Sequence, residues 1–474
     1  MRARGGALAL LAACASATLV LSPSPPRGFN TFDTYGYSWL NASGMEAWLR
    51  TLAASPLVPA GYDMITGGFS GWSQSPLANG STVQHLDAWG RPAPAPERFP
   101  PGSMAAAAAV AKSLGIKFGL WIIRGVHVSA VAKRLPVKGA PGVTADMIVD
   151  QAATGGGANG SCLWDADWLG VNGSHPAAAA WYASQVENLV ELGVEVVEAD
   201  CMMCEPCYWD EMALISAAVR ARPEPLTLYF SPGGGNQPAD SARVAALQLG
   251  SFYRTITDFH GDWYGWGGLQ QAAFIAGNFT RARLHGANAT WPDLDQMPMG
   301  SGWWGVSTEQ DDRGQLIATL WVVGRYPLFP AGALPMDATS LAYYTNPLAL
   351  ALNERADAPT RVWYEGNCTC TGGAGSCTIP HGPGDHPAQP CVQKWAAAVL
   401  PGGWTACAVL NIGEDAAATA TSFADLGLPA AAADAYRVID VWTGAVLGDF
   451  AGDATFATHL RPHAAALLQV TALK

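Results

Sequence analysis

From Pro26 to Ala358, short apolar runs alternate with longer stretches whose apolar residues recur at helical spacing. Residues 45–52 and 105–114 read as helices, 117–123 (KFGLWII) as a buried strand, and 181–192 as a further helix. Residues 194–199 (VEVVEA) and 226–230 (LTLYF) read as short strands. Strands this apolar need cover on both faces, and the intervening helices supply it. The pattern therefore predicts a parallel sheet, closed at this length into a (β/α)8 barrel over residues 26–358. From Arg361 the texture changes. Strand-like runs at 394–400, 405–411, 435–441 and 464–470 are broken by Gly, Pro and Asp, which predicts an antiparallel β-sandwich over residues 359–474. Within it, the Cys-containing stretch 366–391 reads as an insertion stapled by disulfides.

The composition supports a large buried core: half of the 474 residues are hydrophobic and only 14% are charged. A net charge of −12 favours solubility and gives no support to a nucleic-acid partner. The N-terminus has Arg2 and Arg4, an apolar run over 7–21, small residues at Ala13, Ala15 and Ala17, and a Ser/Pro break. This is the pattern of a signal peptide, placed here at residues 1–22. No other stretch is long enough to span a membrane. Asn-x-Ser/Thr sequons at Asn41, Asn79, Asn159, Asn172, Asn278, Asn288 and Asn367 agree with passage through a secretory route. The expected destination is the extracellular space or a vacuolar or lysosomal lumen. Of ten cysteines, Cys14 lies in the leader. The odd remainder leaves at least one unpaired in a monomer.

In a parallel barrel, function collects at the C-terminal ends of the strands. Asp200 directly follows VEVVEA, Asp258 follows SFYRTIT, and Trp291-Pro292-Asp293-Leu294-Asp295 adds two more carboxylates. Glycoside hydrolysis needs two carboxyl groups flanking the scissile bond. The nineteen tryptophans are compatible with sugar binding, because indole faces stack on the apolar face of a pyranose, though scattered Trp is ordinarily core. Cys201, Cys204 and Cys207 form a C-x-x-C-x-x-C run that reads as disulfide cysteines rather than a metal site, since no second Cys/His cluster accompanies it. His127 and His260 read as structural. Residues 231–235 (SPGGG) lack the Lys-Ser/Thr ending of a phosphate-binding loop and read as a barrel loop near the sugar site. No metal and no cofactor is called for.

The opening PRGFNTFDTYG (26–36) resembles the start of melibiase-type enzymes, glycoside hydrolase family 27. Further similar stretches follow in that family's order: 86–101 (LDAWGRPAPAPERFPP), 115–121 (GIKFGLW), 192–201 (LGVEVVEADC) and 253–258 (YRTITD). Then come 291–300 (WPDLDQMPMG), 320–334 (LWVVGRYPLFPAGAL), 346–353 (NPLALALN) and the sandwich stretches 441–444 and 460–470. The form of the Trp-Pro-Asp-Leu-Asp motif is closest to the plant branch. The resemblance implies a retaining exo-α-glycosidase acting on terminal α-galactosyl or related residues. Asp200 would be the nucleophile and Asp258 the acid/base. It implies Arg254, Trp121, Trp72, Glu198 and Asp293 at or near the substrate, Asp293 and Asp295 chiefly as supports of the catalytic loops, and a disulfide between Cys162 and Cys201 beside the site. The implied partner is a carbohydrate, and the chain is a monomer or homodimer.

Two departures bear on substrate. The family's Asp-Asp-x-Trp, whose carboxylates grip the 4- and 6-hydroxyls, corresponds to residues 65–72 (ITGGFSGW), where Trp72 remains and both carboxylates are missing. Glu198 stands where the family has a lysine. When ionised, it can only accept hydrogen bonds. An alternative is therefore a weak or inactive carbohydrate-binding glycoprotein on the same scaffold.

Overall fold

The parallel strands that carry the N-terminal domain are β1 (Phe29–Asn30), β2 (Ile65–Thr66), β3 (Gly119–Ile123), β4 (Val196–Asp200), β5 (Thr227–Phe230), β6 (Phe252–Arg254) and β7 (Trp291–Asp293). The chain is seen as a computed structural model that describes residues 19–36, 40–69, 71–78, 80–150, 160–203, 207–231, 238–263, 267–300, 312–355, 360–366, 368, 391–399 and 403–473. Outside them lie the leader up to residue 18, the sequons at Asn79, Asn159 and Asn367, Cys204, the 232–235 loop and most of the 366–391 insertion. Isolated parallel bridges close the ring. Met64 pairs with Lys117 between β2 and β3, and residues 328–330 form an eighth stave through Met297–Pro330 on one side and Arg27–Leu328 on the other. Helices cover the outside: Ala42–Ala54, Ser103–Ser113, Ala178–Glu191, Trp209–Arg220, Pro238–Leu247, Leu269–Arg281, Arg313–Val323, and the pair Ala338–Thr345 and Pro347–Glu354 after the last stave. The (β/α)8 barrel expected from the apolar rhythm is the fold observed.

Strand alternation layers the interior. Val196, Glu198 and Asp200 share the inward face of β4, while Val197 and Ala199 pack outward against the helices. The lowest inner layer is apolar, formed by Met64, Val196, Tyr229, Phe252, Trp291 and Phe329. Two residues further along, the same strands turn in Glu198, Arg254 and Asp293, so the barrel changes from apolar to acidic as it rises toward the C-terminal ends.

The C-terminal domain has a six-stranded antiparallel sheet in the order Thr360–Gly366, Cys391–Val399, Trp404–Asn411, Ala465–Leu473, Ala435–Asp440, Val446–Ala451. A two-stranded sheet of Ala417–Ser422 and Thr455–Leu460 faces it. Phe423, Tyr436, Phe456 and Leu468 lie in the core between them. Against the barrel, Trp442 Nε1 donates to Thr319 Oγ1 at 3.0 Å and Gln393 Nε2 to the Ala273 carbonyl at 2.8 Å. Trp263, a few residues beyond Asp258, stacks on His463 at 3.6 Å and donates to Glu414 at 3.1 Å. The sandwich thus braces the segment that follows β6. Among the described residues no helix is long and apolar enough to cross a membrane.

Cys162 and Cys201 form a disulfide, as the resemblance implied, and Cys368 pairs with Cys391 at the neck of the insertion. Cys407 is a buried thiol in the sandwich. Cys201 has φ 60°, a left-handed conformation that L-residues other than Asn and Asp seldom adopt. The disulfide holds this turn directly after Asp200. Arg124 supports it from below, donating to the Cys201 carbonyl at 2.9 Å and to Glu211 at 2.6 Å. Replacing both Cys162 and Cys201 by Ser is expected to destabilise the protein by about 2–4 kcal/mol. The check is urea unfolding of the variant and parent under non-reducing conditions. Equal midpoints would show that the buried arginine network suffices alone.

Candidate active site

A cavity of about 100 Å³ opens at the C-terminal ends of the strands, with Asp200, Asp258, Glu198, Arg254, Asp295 and Trp121 in its wall. Each arrives by a different route. Asp200 is the last residue of β4, and Glu198 precedes it on the same face. Asp258 lies in the loop after β6 and Asp295 in the loop after β7. The loop after β2 supplies Gly67, whose left-handed φ of 58° and close approach to the Asn30 side chain leave no room for a Cβ.

The two proposed catalytic carboxyls differ sharply in environment. Asp200 is buried, its Oδ2 accepting from Trp121 Nε1 at 2.8 Å and its Oδ1 from the Cys201 N–H at 2.5 Å. The side chain of Asp258 is 60% exposed. Burial, then the charge of Asp258, pushes the Asp200 carboxyl up to about 7 against these two hydrogen bonds. Glu198 is more strongly affected. Burial, then the neighbouring Asp200, pushes it up to about 8, although it accepts from the Gly67 N–H and from Ser231 Oγ. This upward shift favours the protonated form, which can donate one O–H where the ionised form only accepts.

Arg254, in the cavity wall, bonds to both neighbouring loops. Its Nη2 binds Asp258 at 2.6 Å, its Nη1 binds Asp295 at 2.8 Å, and its Nε donates to the Ile256 carbonyl at 3.2 Å. The planar fork thus ties the loops after β6 and β7 together. Asp295, at φ 79°, also accepts from the Phe259 N–H at 2.8 Å, and its carbonyl accepts from Trp321 Nε1 at 3.0 Å.

Two expected substrate contacts lie elsewhere. Trp72 is fully buried and does not reach the cavity. Its Nε1 donates to the Trp121 carbonyl at 2.9 Å, so it braces Trp121 from behind. Asp293 shares the inner layer of Arg254 but is fully buried away from the cavity wall, accepting from Tyr229 OH at 2.6 Å in the barrel centre. Burial, then Asp295, pushes it up to about 7. His127 is also outside the cavity, bonded to Ser129 and edge-on to Trp168. His260 pairs its Nδ1 with the buried Asp33 at 2.8 Å, which moors the Asp258 loop to the loop after β1.

The sequence reading missed several wall residues. Trp164, in the loop behind Cys162, lies over Trp121 with ring centroids 6.0 Å apart and is 43% exposed. Asn30, Phe32 and Gln296 also line the cavity, as does Ser231, the first residue of the loop that the sequence placed near the sugar site. A Trp two residues from a cysteine paired into the site was the one signal available for Trp164. Among the described residues no group of His, Cys, Asp and Glu is arranged to hold a metal ion.

Fold and site together define a two-domain barrel-and-sandwich protein with an acid-walled cavity at the strand ends. Residues 389–470 match the family model Melibiase_C, the alpha galactosidase C-terminal beta sandwich domain. No curated protein sequence matches the chain. Among solved structures, the fold is shared with a family 27 β-L-arabinopyranosidase from Geobacillus stearothermophilus, with 23% identity, 95% of this chain and 97% of that one covered, and a TM-score of 0.75. It is shared too with an α-galactosidase from Saccharomyces cerevisiae (14% identity, 97% and 100% covered, TM-score 0.64) and with α-galactosidase I from Mortierella vinacea (15%, 96% and 99%, 0.62). The chain therefore carries a Melibiase_C domain on a fold common to glycoside hydrolases of family 27.

Proposed function

We propose that this chain is a retaining glycosidase of family 27 that removes a terminal α-galactosyl unit or its pentose counterpart, the β-L-arabinopyranosyl unit. The observation that supports this best is the convergence of Asp200 and Asp258 on one cavity at the strand ends, the first buried and hydrogen-bonded, the second open to solvent. Asp200 attacks the anomeric carbon and displaces the aglycone, which takes its proton from Asp258. Asp258 then removes a proton from water as that water attacks the glycosyl-enzyme, so configuration is retained. Exposure suits Asp258 to this exchange, and the fixed donors on Asp200 keep the nucleophile aimed.

The galactose/arabinopyranose alternative rests on the loop after β2. The two sugars share their ring stereochemistry and differ by the hydroxymethyl at C5. Residues 65–72 contain no carboxylate to grip a 6-hydroxyl. That absence favours the sugar that has none. The structural neighbour from Geobacillus stearothermophilus bears the corresponding activity in its name. The neutral Glu198 offers an O–H toward the cavity in place of the family's lysine, and Trp121 with Trp164 offers an indole surface for the ring. The Trp-Pro-Asp-Leu-Asp form of the motif supports placement nearest the plant branch, and the apolar N-terminus and sequons support a secreted or vacuolar/lysosomal glycoprotein.

The test is release of nitrophenol from a panel of nitrophenyl glycosides. The expected result is turnover of the β-L-arabinopyranoside with kcat/KM at least about tenfold above that of the α-galactoside, a preference of about 1.4 kcal/mol. A reversed preference would assign the α-galactoside instead. No turnover of any member, with sugar binding retained, would leave the carbohydrate-binding reading.

A further inference from the structure

The N-terminal face of the barrel, opposite the cavity, is closed by a segment that the sequence pattern assigned to the leader. Leu19 is buried and forms a parallel bridge with Leu226, the residue before β5. The Val20 N–H donates to the Leu226 carbonyl at 2.9 Å. The Ser22 carbonyl accepts from Trp291 Nε1 at 2.9 Å. Trp291 itself is fully buried in the lowest inner layer, so its indole N–H depends on a protein acceptor for satisfaction. The chain continues through Pro26, whose carbonyl accepts from the Leu328 N–H at 3.1 Å, into Arg27, which binds the Leu350 carbonyl at 3.0 Å and Glu354 at 2.8 Å. Between this strap and the barrel lies a cavity of about 240 Å³, walled by Val20, Ser22, Met64 and Phe252 among others.

A cut after residue 22 would remove Leu19, Val20 and Ser22 together. It would open the barrel floor to water and take away the acceptor of Trp291. The sequence offers an earlier place. Ala15-Ser16-Ala17 puts small side chains at the two positions that a signal peptidase reads, one and three residues before the cut.

We infer that the leader is cut between Ala17 and Thr18, and that residues 19–22 belong to the mature protein as the strap that closes its barrel floor. The step is hydrolysis. Water adds across the Ala17–Thr18 peptide bond, leaving a carboxylate on Ala17 and a new α-amine on Thr18, with the membrane-bound signal peptidase of the secretory route as catalyst. The inference is independent of which sugar the cavity takes.

The full chain is expressed in a secreting host, deglycosylated, and its N-terminus determined by intact mass and sequencing. The expected mature chain begins at Thr18. A chain beginning at Pro23 or beyond, or one retaining Met1, would overturn the inference. The strap is tested separately with two chains placed behind a foreign leader, one starting at Thr18 and the other at Pro23. The shorter is expected to melt at least about 2 °C lower, or to fail to accumulate. Equal melting temperatures would show that residues 19–22 are dispensable to the floor.

Discussion

Asp200→Asn is expected to lower kcat/KM by roughly 10⁴-fold or more on every substrate the parent accepts, because the covalent intermediate forms on this carboxylate. Asp258→Asn is expected to behave differently. With a nitrophenyl leaving group, which departs without much help, the first step survives and the second, which needs a base, is slowed by about 10²–10⁴-fold. A glycosyl-enzyme should then accumulate, visible as a burst of nitrophenol and as a mass increase on the peptide carrying Asp200. Added azide, which attacks without a base, should restore turnover in Asp258→Asn and give a glycosyl azide of retained configuration. In Asp200→Asn, azide can attack the substrate only from the opposite side, giving the inverted product. Both variants should stay folded. The raised Asp200 carboxyl costs stability as pH rises from 3.8 to about 7, so Asn at that position should melt at or above the parent at pH 8. Equal activity of parent and both variants would refute the assignment of the pair.

Glu198→Gln is the second large effect, and it can be read without a substrate. The folded-state Glu198 is raised from 4.5 to about 8 by burial and then by Asp200. Below pH 4.5 the group is protonated in folded and unfolded chains alike. As pH rises from 4.5 to about 8, the unfolded chain ionises freely while the folded one resists, so the parent loses stability across that window. Gln keeps the neutral shape and does not titrate. The variant should match the parent near pH 4 and exceed it increasingly toward pH 8, by about 2–5 kcal/mol at the upper end. Thermal melts at several pH values measure this, and parallel curves would show that folding does not shift the Glu198 carboxyl. In the kinetics, Gln should remove an alkaline fall in kcat/KM near pH 8. That fall is expected because ionised Glu198 places a second negative charge two residues along the inward face from Asp200 and withdraws its O–H from the sugar. The acid limb, set by Asp200 near pH 7, should remain.

Chain-local patterns carried most of the architecture. Mainly apolar runs at 117–123, 194–199 and 226–230 became β3, β4 and β5 within two residues, since a parallel strand covered on both faces is built mostly of apolar residues. The change of rhythm at Arg361 marked the sandwich because antiparallel strands with short connections need frequent turn residues. Asp200 was legible for the same reason, as a carboxylate ending a buried strand.

Positions set by the meeting of distant segments were not legible. Asp293 and Trp72 matched motif positions, yet the inward turn of β7 buries Asp293 against Tyr229 in the barrel centre and the loop after β2 folds Trp72 behind Trp121. The Asp33–His260 pair joins residues 227 apart in the chain, and Trp164 meets Trp121 from a loop that the Cys162–Cys201 disulfide ties to the end of β4. The upward shift of Glu198 likewise has a tertiary cause. A carboxyl's letter in a sequence says that it can ionise, whereas the burial and the neighbouring charge that decide whether it does come from strands brought together around the barrel. Patterns local to the chain were enough for the barrel and the sandwich, the strand that carries Asp200 and the chemistry available to the site. The closed barrel decided which acidic residues face the cavity, which are buried behind its wall and which are shifted toward the neutral form, because depth in the barrel and distance between charges do not exist until the ring is formed.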